Sequence, residues 1–181
     1  MLPKIQLAMK IISILFALLT VGVLGSFAPE LPVPPDSPQR LFYIQRSNNA
    51  HTVIYDANWQ PGSHTMDPKD PVKAYWIRYA DKGQIQELTY TQRVLAFGVD
   101  TQPIPGGYDM RLAAFKKRAI RVLTKNDHPI ATTNIAGKEA RLRKIFVQLA
   151  GPDCLIPKVA YVELFGSDLQ TGRATYERFV P

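Results

Sequence analysis

Short runs of alternating apolar and polar residues, rich in Val, Ile, Tyr and Phe and closed by Asn, Asp, Gly or Pro, fill most of this chain after residue 40. A strand turns successive side chains to opposite faces, so this period of two commits the chain to sheet with one apolar face per strand. Segments 41–46 and 52–58 flank Ser47, Asn48, Asn49 and Ala50, a polar loop whose asparagines tolerate positive φ, and they read as a hairpin. Segment 72–80 is a third strand, ended by the turn Asp81, Lys82, Gly83. Segments 108–115, 119–124 and 130–135 continue the pattern, and 159–165 with 175–180 form a closing hairpin through Gly166, Asp168 and Gly172.

One helix interrupts the strands. Thr89-Tyr90-Thr91-Gln92 has the spacing of a capping box, in which Thr89 covers first-turn amides and Gln92 reaches back, and Gly98 stops the helix after about two turns. Residues 139–150 fit two periods: Leu142, Ile145, Phe146 and Leu149 are spaced for a helix, while Arg143, Ile145, Val147 and Leu149 alternate. The β-branched Ile145 and Val147 and a turn at Ala136-Gly137-Lys138 favour a strand paired with 130–135. The expected fold is mainly β: an antiparallel sandwich or partly closed barrel of about 8–9 strands with one short helix, preceded by an N-terminal apolar helix.

That N-terminal segment sets the compartment. Lys4 and Lys10 precede nineteen uncharged, mostly apolar residues, 11–29. Residues 1–28 read either as a signal peptide cut after Val23 and Gly25 or as a membrane anchor, and both deliver the rest of the chain to the periplasm or the outer side of the cytoplasmic membrane. Residues 29–39 hold Pro29, Pro32, Pro34, Pro35 and Pro38 and read as a polyproline spacer or loose tail before a single domain, 40–181. A hydrophobic fraction of 46% with 18 aromatic residues argues against disorder. Cys154 is the only cysteine, so an intrachain disulfide is excluded even in an oxidising compartment.

No catalytic, metal or cofactor motif stands out. His51, His64 and His128 share no ligand spacing; Asp56, Asn58, Asp67 and Asp70 lack the regularity of a calcium loop; Ser47, Ser63 and Ser167 have no nucleophile-elbow context; Gly106-Gly107 lacks a Lys-Ser after it. Charge is more informative. Lys116, Lys117, Arg118, Arg121, Lys125, Lys138, Arg141, Arg143 and Lys144 face only Asp127 and Glu139, which accounts for the net charge of +7. If consecutive hairpins put them on one face, they offer a site for anionic lipid headgroups, an envelope polymer or the acidic face of another protein; alternation that splits them leaves a solvated surface. Nucleic acid is not an expected partner, for there is no recognition helix or stacking motif. Arg78 and Glu163, each on a strand face with large apolar neighbours, read as an internal pair or as the polar end of a pocket.

Leu41-Phe42-Tyr43-Ile44-Gln45-Arg46-Ser47, Thr52-Val53-Ile54-Tyr55-Asp56-Ala57-Asn58 and Tyr75-Trp76-Ile77-Arg78-Tyr79 resemble blocks of the bacterial domain of unknown function 4833 family. The likeness continues through Gln92-Arg93, Ala96-Phe97-Gly98, Arg143-Lys144-Ile145-Phe146-Val147-Gln148 and Tyr161-Val162-Glu163-Leu164-Phe165-Gly166. It implies a domain spanning 40–181 behind an export leader, and brings no catalytic residues. The functional expectation is therefore a non-enzymatic binding module for an anionic envelope partner or a small ligand, with no cofactor. The alternative is an envelope hydrolase or transferase whose Asp56, Arg78, Glu87, Arg93 or Glu163 converge in a cleft beside the short helix.

Overall fold

A computed structural model describes residues 31–151 and 158–181. The expected leader and the thiol of Cys154 lie outside the described residues. Among the described residues there are eleven strands: β1 (Arg40–Arg46), β2 (Asn49–Ala57), β3 (Val72–Arg78), β4 (Gln84–Glu87), β5 (Val99–Ile104), β6 (Gly107–Leu112), β7 (Phe115–Lys125), β8 (His128–Ile135), β9 (Lys138–Ala150), β10 (Lys158–Asp168) and β11 (Ala174–Phe179). Nine of them run in the order β4-β3-β2-β1-β9-β8-β7-β6-β5 and curl into a half-barrel, with β10 and β11 off this path. The domain is thus mainly β with one short helical segment, as the alternation predicts.

The strand count exceeds the expectation for local reasons. β4 is exposed at all four positions and carries no apolar alternation. β5 contains Pro103, which removes a ladder donor, and it is an edge strand, where that is tolerated. Gly106 closes a tight hairpin between β5 and β6, with Ile104 opposite Gly107. Segment 108–115 is not one strand: it breaks at Ala113 and Ala114, and Phe115 begins β7, which absorbs 119–124. Residues 139–150 are strand, and β9 does pair with β8 through Lys138 to Arg141.

β9 organises the molecule. One edge pairs along almost its whole length with β10. The opposite edge is shared: β8 takes Lys138 to Arg141 antiparallel, and β1 takes Lys144 to Val147 in parallel. That parallel pair departs from the purely antiparallel expectation, and it forces β1 and β8 to diverge as a fork from the same edge. Between the two pairings, β9 bulges opposite the step from Phe165 to Gly166, leaving Arg143 without a cross-strand partner on β10. An unpaired residue reverses the alternation. Ala140 and Leu142 point into the core before the bulge, and Ile145 does so after it. Gly166 is required there: a Cβ would sit 2.4 Å from the Arg141 carbonyl oxygen and 2.8 Å from Ile135 Cδ1.

The core fills the concave side. Phe42 stacks on Tyr55 with centroids 4.5 Å apart, and both join Val53, Trp76, Met110, Val122, Ile135 and Leu142 in one buried cluster spanning both wings of the sheet. The helical segment caps it. In α1 (Tyr90–Gln92), Thr89 Oγ1 accepts from the Gln92 amide and Gln92 Oε1 accepts from the Thr89 amide, which is the expected capping box. The same Gln92 oxygen accepts from Trp76 Nε1 at 3.2 Å, tying the cap to the core. Residues Arg93–Phe97 continue as a π-type turn. Gly98 ends it in an extended conformation with φ −65°, and it is small because a Cβ would lie 2.1 Å from the Arg93 carbonyl oxygen.

The proline segment differs from a spacer. From Pro32 onward it packs on the sheet: buried Gln45 donates through Nε2 to the Pro32 carbonyl at 2.7 Å, Pro34 is buried, and the Ala57 amide donates to the Gln39 carbonyl. A buried side-chain amide needs a partner, and Pro32, fixed in extended backbone, supplies one.

Candidate functional site

The concave face is not filled completely. A cavity of about 390 Å³ lies between the wings. Its floor is Leu142, Ile145, Val147 and Leu149 of β9 with Val159, Val162 and Leu164 of β10; Ile44 and Arg46 of β1 form one side; Leu112, Phe115, Arg118, Ile120 and Thr133 of β6 to β8 form the other; Leu95, Ala96 and Phe97 lie across it. The bulge at Arg143 is what turns Ile145, Val147 and Leu149 toward this space.

Its polar groups are held at the margins. Arg46 places its guanidinium 5.3 Å from the ring centroids of both Trp76 and Phe97. Thr133 Oγ1 donates to the Ala119 carbonyl at 2.8 Å, bridging β7 and β8 where their ladder has opened. Arg118 Nη1 and Nη2 donate to the two oxygens of Glu177 on β11, and its guanidinium lies 4.8 Å from the Phe179 ring. Glu177 also accepts from the Ala136 amide, and Phe179 stacks on Phe115 at 5.4 Å. Arg118, aided by the Ala136 amide and opposed by burial, holds the Glu177 carboxyl below its usual range. This clasp closes the wall between β7 and β11. Tyr55 marks the helical end: its hydroxyl donates to the Phe97 carbonyl at 2.8 Å, and burial pushes its ionisation far up.

The basic run is dispersed over several surfaces. Lys116 and Lys117 are exposed, and Arg118 turns inward to Glu177. Arg121 faces Glu139 at 3.7 Å, beside Lys117 in an outer concavity. Lys125 and Arg141 meet in a separate crevice at the fork. Arg143 is exposed at the bulge, and Lys144 lies over the Phe146 and Phe165 rings at 5.8 and 5.5 Å. Strand alternation, broken once by the bulge, distributes them in this way.

Arg78 and Glu163 are not brought together. Arg78 pairs with Asp81 three residues on and donates to Gln86 of β4, because the 3₁₀ turn Tyr79–Asp81 folds the acid back over β3. Glu163 accepts from Arg178 and from the Tyr176 hydroxyl, both at 2.7 Å, on the neighbouring β11. Glu163 and Arg178 are directly opposite in the register of the closing hairpin, and that register is the signal that identifies the pair. Nor do the enzyme candidates converge: Arg93 meets Glu87 at 2.6 Å on an exposed face, while Asp56 accepts from Arg40 and Tyr75.

The other groups have structural partners. His51 and His64 pack edge-on against Trp76 and Trp59. Asn58 donates to the Asp70 carbonyl, and Asp67 accepts the Lys69 amide. Among the described residues no three His, Cys, Asp or Glu gather as a metal site.

The cavity residues escaped sequence reasoning because Ile44, Ile120, Val162 and Phe97 look like any core positions. The one available signal was the change of parity between Leu142 and Ile145. The family model described as domain of unknown function (DUF4833) matches residues 42–178. No curated protein and no solved structure matches the chain.

Proposed function

The chain belongs to the domain of unknown function 4833 family, and we propose that it is a non-enzymatic binding module that takes the apolar body of a small amphiphile, such as a lipid acyl chain, into the cavity inside its half-barrel. The observation that carries this reading is an apolar space of about 390 Å³, within the range of roughly 300–1,000 Å³ typical of ligand pockets. Its lining side chains include no carboxylate, and their polar members, Arg46, Arg118 and Thr133, sit at the margin of an otherwise apolar space. About eight buried methylenes at ~0.8 kcal/mol each would contribute roughly 6 kcal/mol before association costs. The leader read from residues 11–28 supports a place outside the cytoplasmic membrane, where lipids are the most abundant apolar ligands.

Titration with alkyl carboxylates, alcohols and alkylammonium ions of increasing chain length tests the reading. Affinity should rise with chain length, and Val162→Trp, which intrudes on the cavity, should weaken binding while thermal unfolding stays cooperative. Chain-length-independent binding, or full binding by Val162→Trp, refutes it.

A further inference from the structure

We propose that the fork where β1 and β8 leave the same edge of β9 is a second site, a crevice that binds a phosphate group. This inference does not rest on the apolar cavity, which lies on the concave side. The crevice has a volume of about 400 Å³ and is lined by Arg40, Lys125, Asn126, His128 and Arg141, with Ser37 of the proline segment at its lip. Topology puts these residues together. Arg141 is the last residue of β9 paired with β8, and β1 joins the same edge from Lys144 onward, so Arg141 stands at the apex. Arg40 begins one prong, and the hairpin between β7 and β8 brings Lys125 and His128 to the tip of the other.

What distinguishes the fork from the other basic surfaces is that no carboxylate lines it. The outer concavity contains Glu139, which faces Arg121, and Arg118 is matched by Glu177. At the fork Arg40 spends Nε on Asp56 and Nη1 on the Pro35 carbonyl, so it is oriented by the sheet and the proline segment. Arg141 is half-buried, and its charged neighbour is another cation: burial, then Arg143, push its ionisation down from the usual arginine range. A partly desolvated guanidinium beside a like charge is unfavourable until an anion enters, and guanidinium donors match phosphate oxygens in geometry. The turn that ends β7 adds Asn126 to the lining, while its neighbour Asp127 does not line the crevice.

Phosphate could arrive free or as a lipid headgroup, and two arms of one experiment separate these sources. The full chain and its Arg141→Gln and Lys125→Gln variants are titrated with inorganic phosphate by calorimetry. The same three proteins, all with the same N-terminus, are then sedimented with phosphatidylglycerol or phosphatidylcholine vesicles across a salt series. Saturable phosphate binding weakened about tenfold or more by each variant, with equal vesicle binding by all three proteins, identifies a free-phosphate site. Salt-sensitive binding to phosphatidylglycerol that falls in both variants identifies a headgroup site. Lys125→Gln, an exposed change, guards against misreading a folding defect in Arg141→Gln. If neither probe distinguishes Lys125→Gln and folded Arg141→Gln from the parent, the proposal is overturned; since alkyl-chain binding is read separately, that result leaves the cavity reading standing.

Discussion

Removing the charge of Glu177 should loosen the β7–β11 wall of the cavity by an amount the geometry sets. The Glu177 carboxylate accepts from Arg118 Nη2 at 2.5 Å, from Nη1 at 3.1 Å and from the Ala136 amide at 2.8 Å. The two side chains are 23% and 21% exposed, well below the exposure at which an ion pair is worth only ~0.2–1 kcal/mol. Hydrogen bonds to charged groups contribute about 1.5–3 kcal/mol, so Glu177→Gln should cost about 2 kcal/mol. In urea unfolding the midpoint should fall with m unchanged, and the melting temperature should drop by about 4–8 °C for a domain of this size. The pH dependence supplies the check. Because the folded carboxyl ionises below the unfolded one, the pair stabilises fully above the ordinary carboxylate range near ~4.3. That contribution disappears as pH falls through the depressed folded value. Parent and Glu177→Gln should therefore converge in acid, and a cycle with Arg118→Met should show coupling at neutral pH only. A neutral-pH difference under about 0.5 kcal/mol, or one that persists unchanged in acid, would refute the reasoning.

Local geometry sets three further outcomes. Thr89→Ala removes the acceptor of the Gln92 amide and should cost about 1 kcal/mol in denaturant unfolding, with faster amide exchange confined to 89–98. Gly166→Ala drives a methyl against the Arg141 carbonyl and Ile135, and should destabilise by about 1–3 kcal/mol while speeding exchange in β9 and β10. Tyr75, whose hydroxyl donates to Asp56, is pushed up to about 12 by burial, then by that bond and charge. Ultraviolet titration should show a phenol ionising there that Tyr75→Phe removes and Asp56→Asn shifts downward.

Legibility in the sequence tracked the range of the interaction. The capping box of Thr89 and Gln92 and the turns at Lys82-Gly83 and Ala136-Gly137, whose φ values are positive, depend on residues within four positions of each other. They could be read directly. β4 and β5 could not, because an exposed strand has no alternation and Pro103 argues against any central position. The pairing of Arg78 with Glu163 failed because a shared strand face does not fix a partner, whereas cross-strand register does, and it gave Glu163 to Arg178. The proline segment reads as a spacer or loose tail because nothing local shows that Gln45 needs the Pro32 carbonyl.

By itself the sequence determined that this protein is mainly sheet, where its helical cap begins, that no disulfide staples it, and how much charge it carries, since these depend on composition and short-range periodicity. Tertiary structure alone decided that β1 and β8 share one edge of β9, that a bulge at Arg143 reverses the alternation, and hence which cations gather at the fork and which side chains line the cavity. The pairing of β1 with β9 joins segments about a hundred residues apart, and a period of two is indifferent both to strand order and to register.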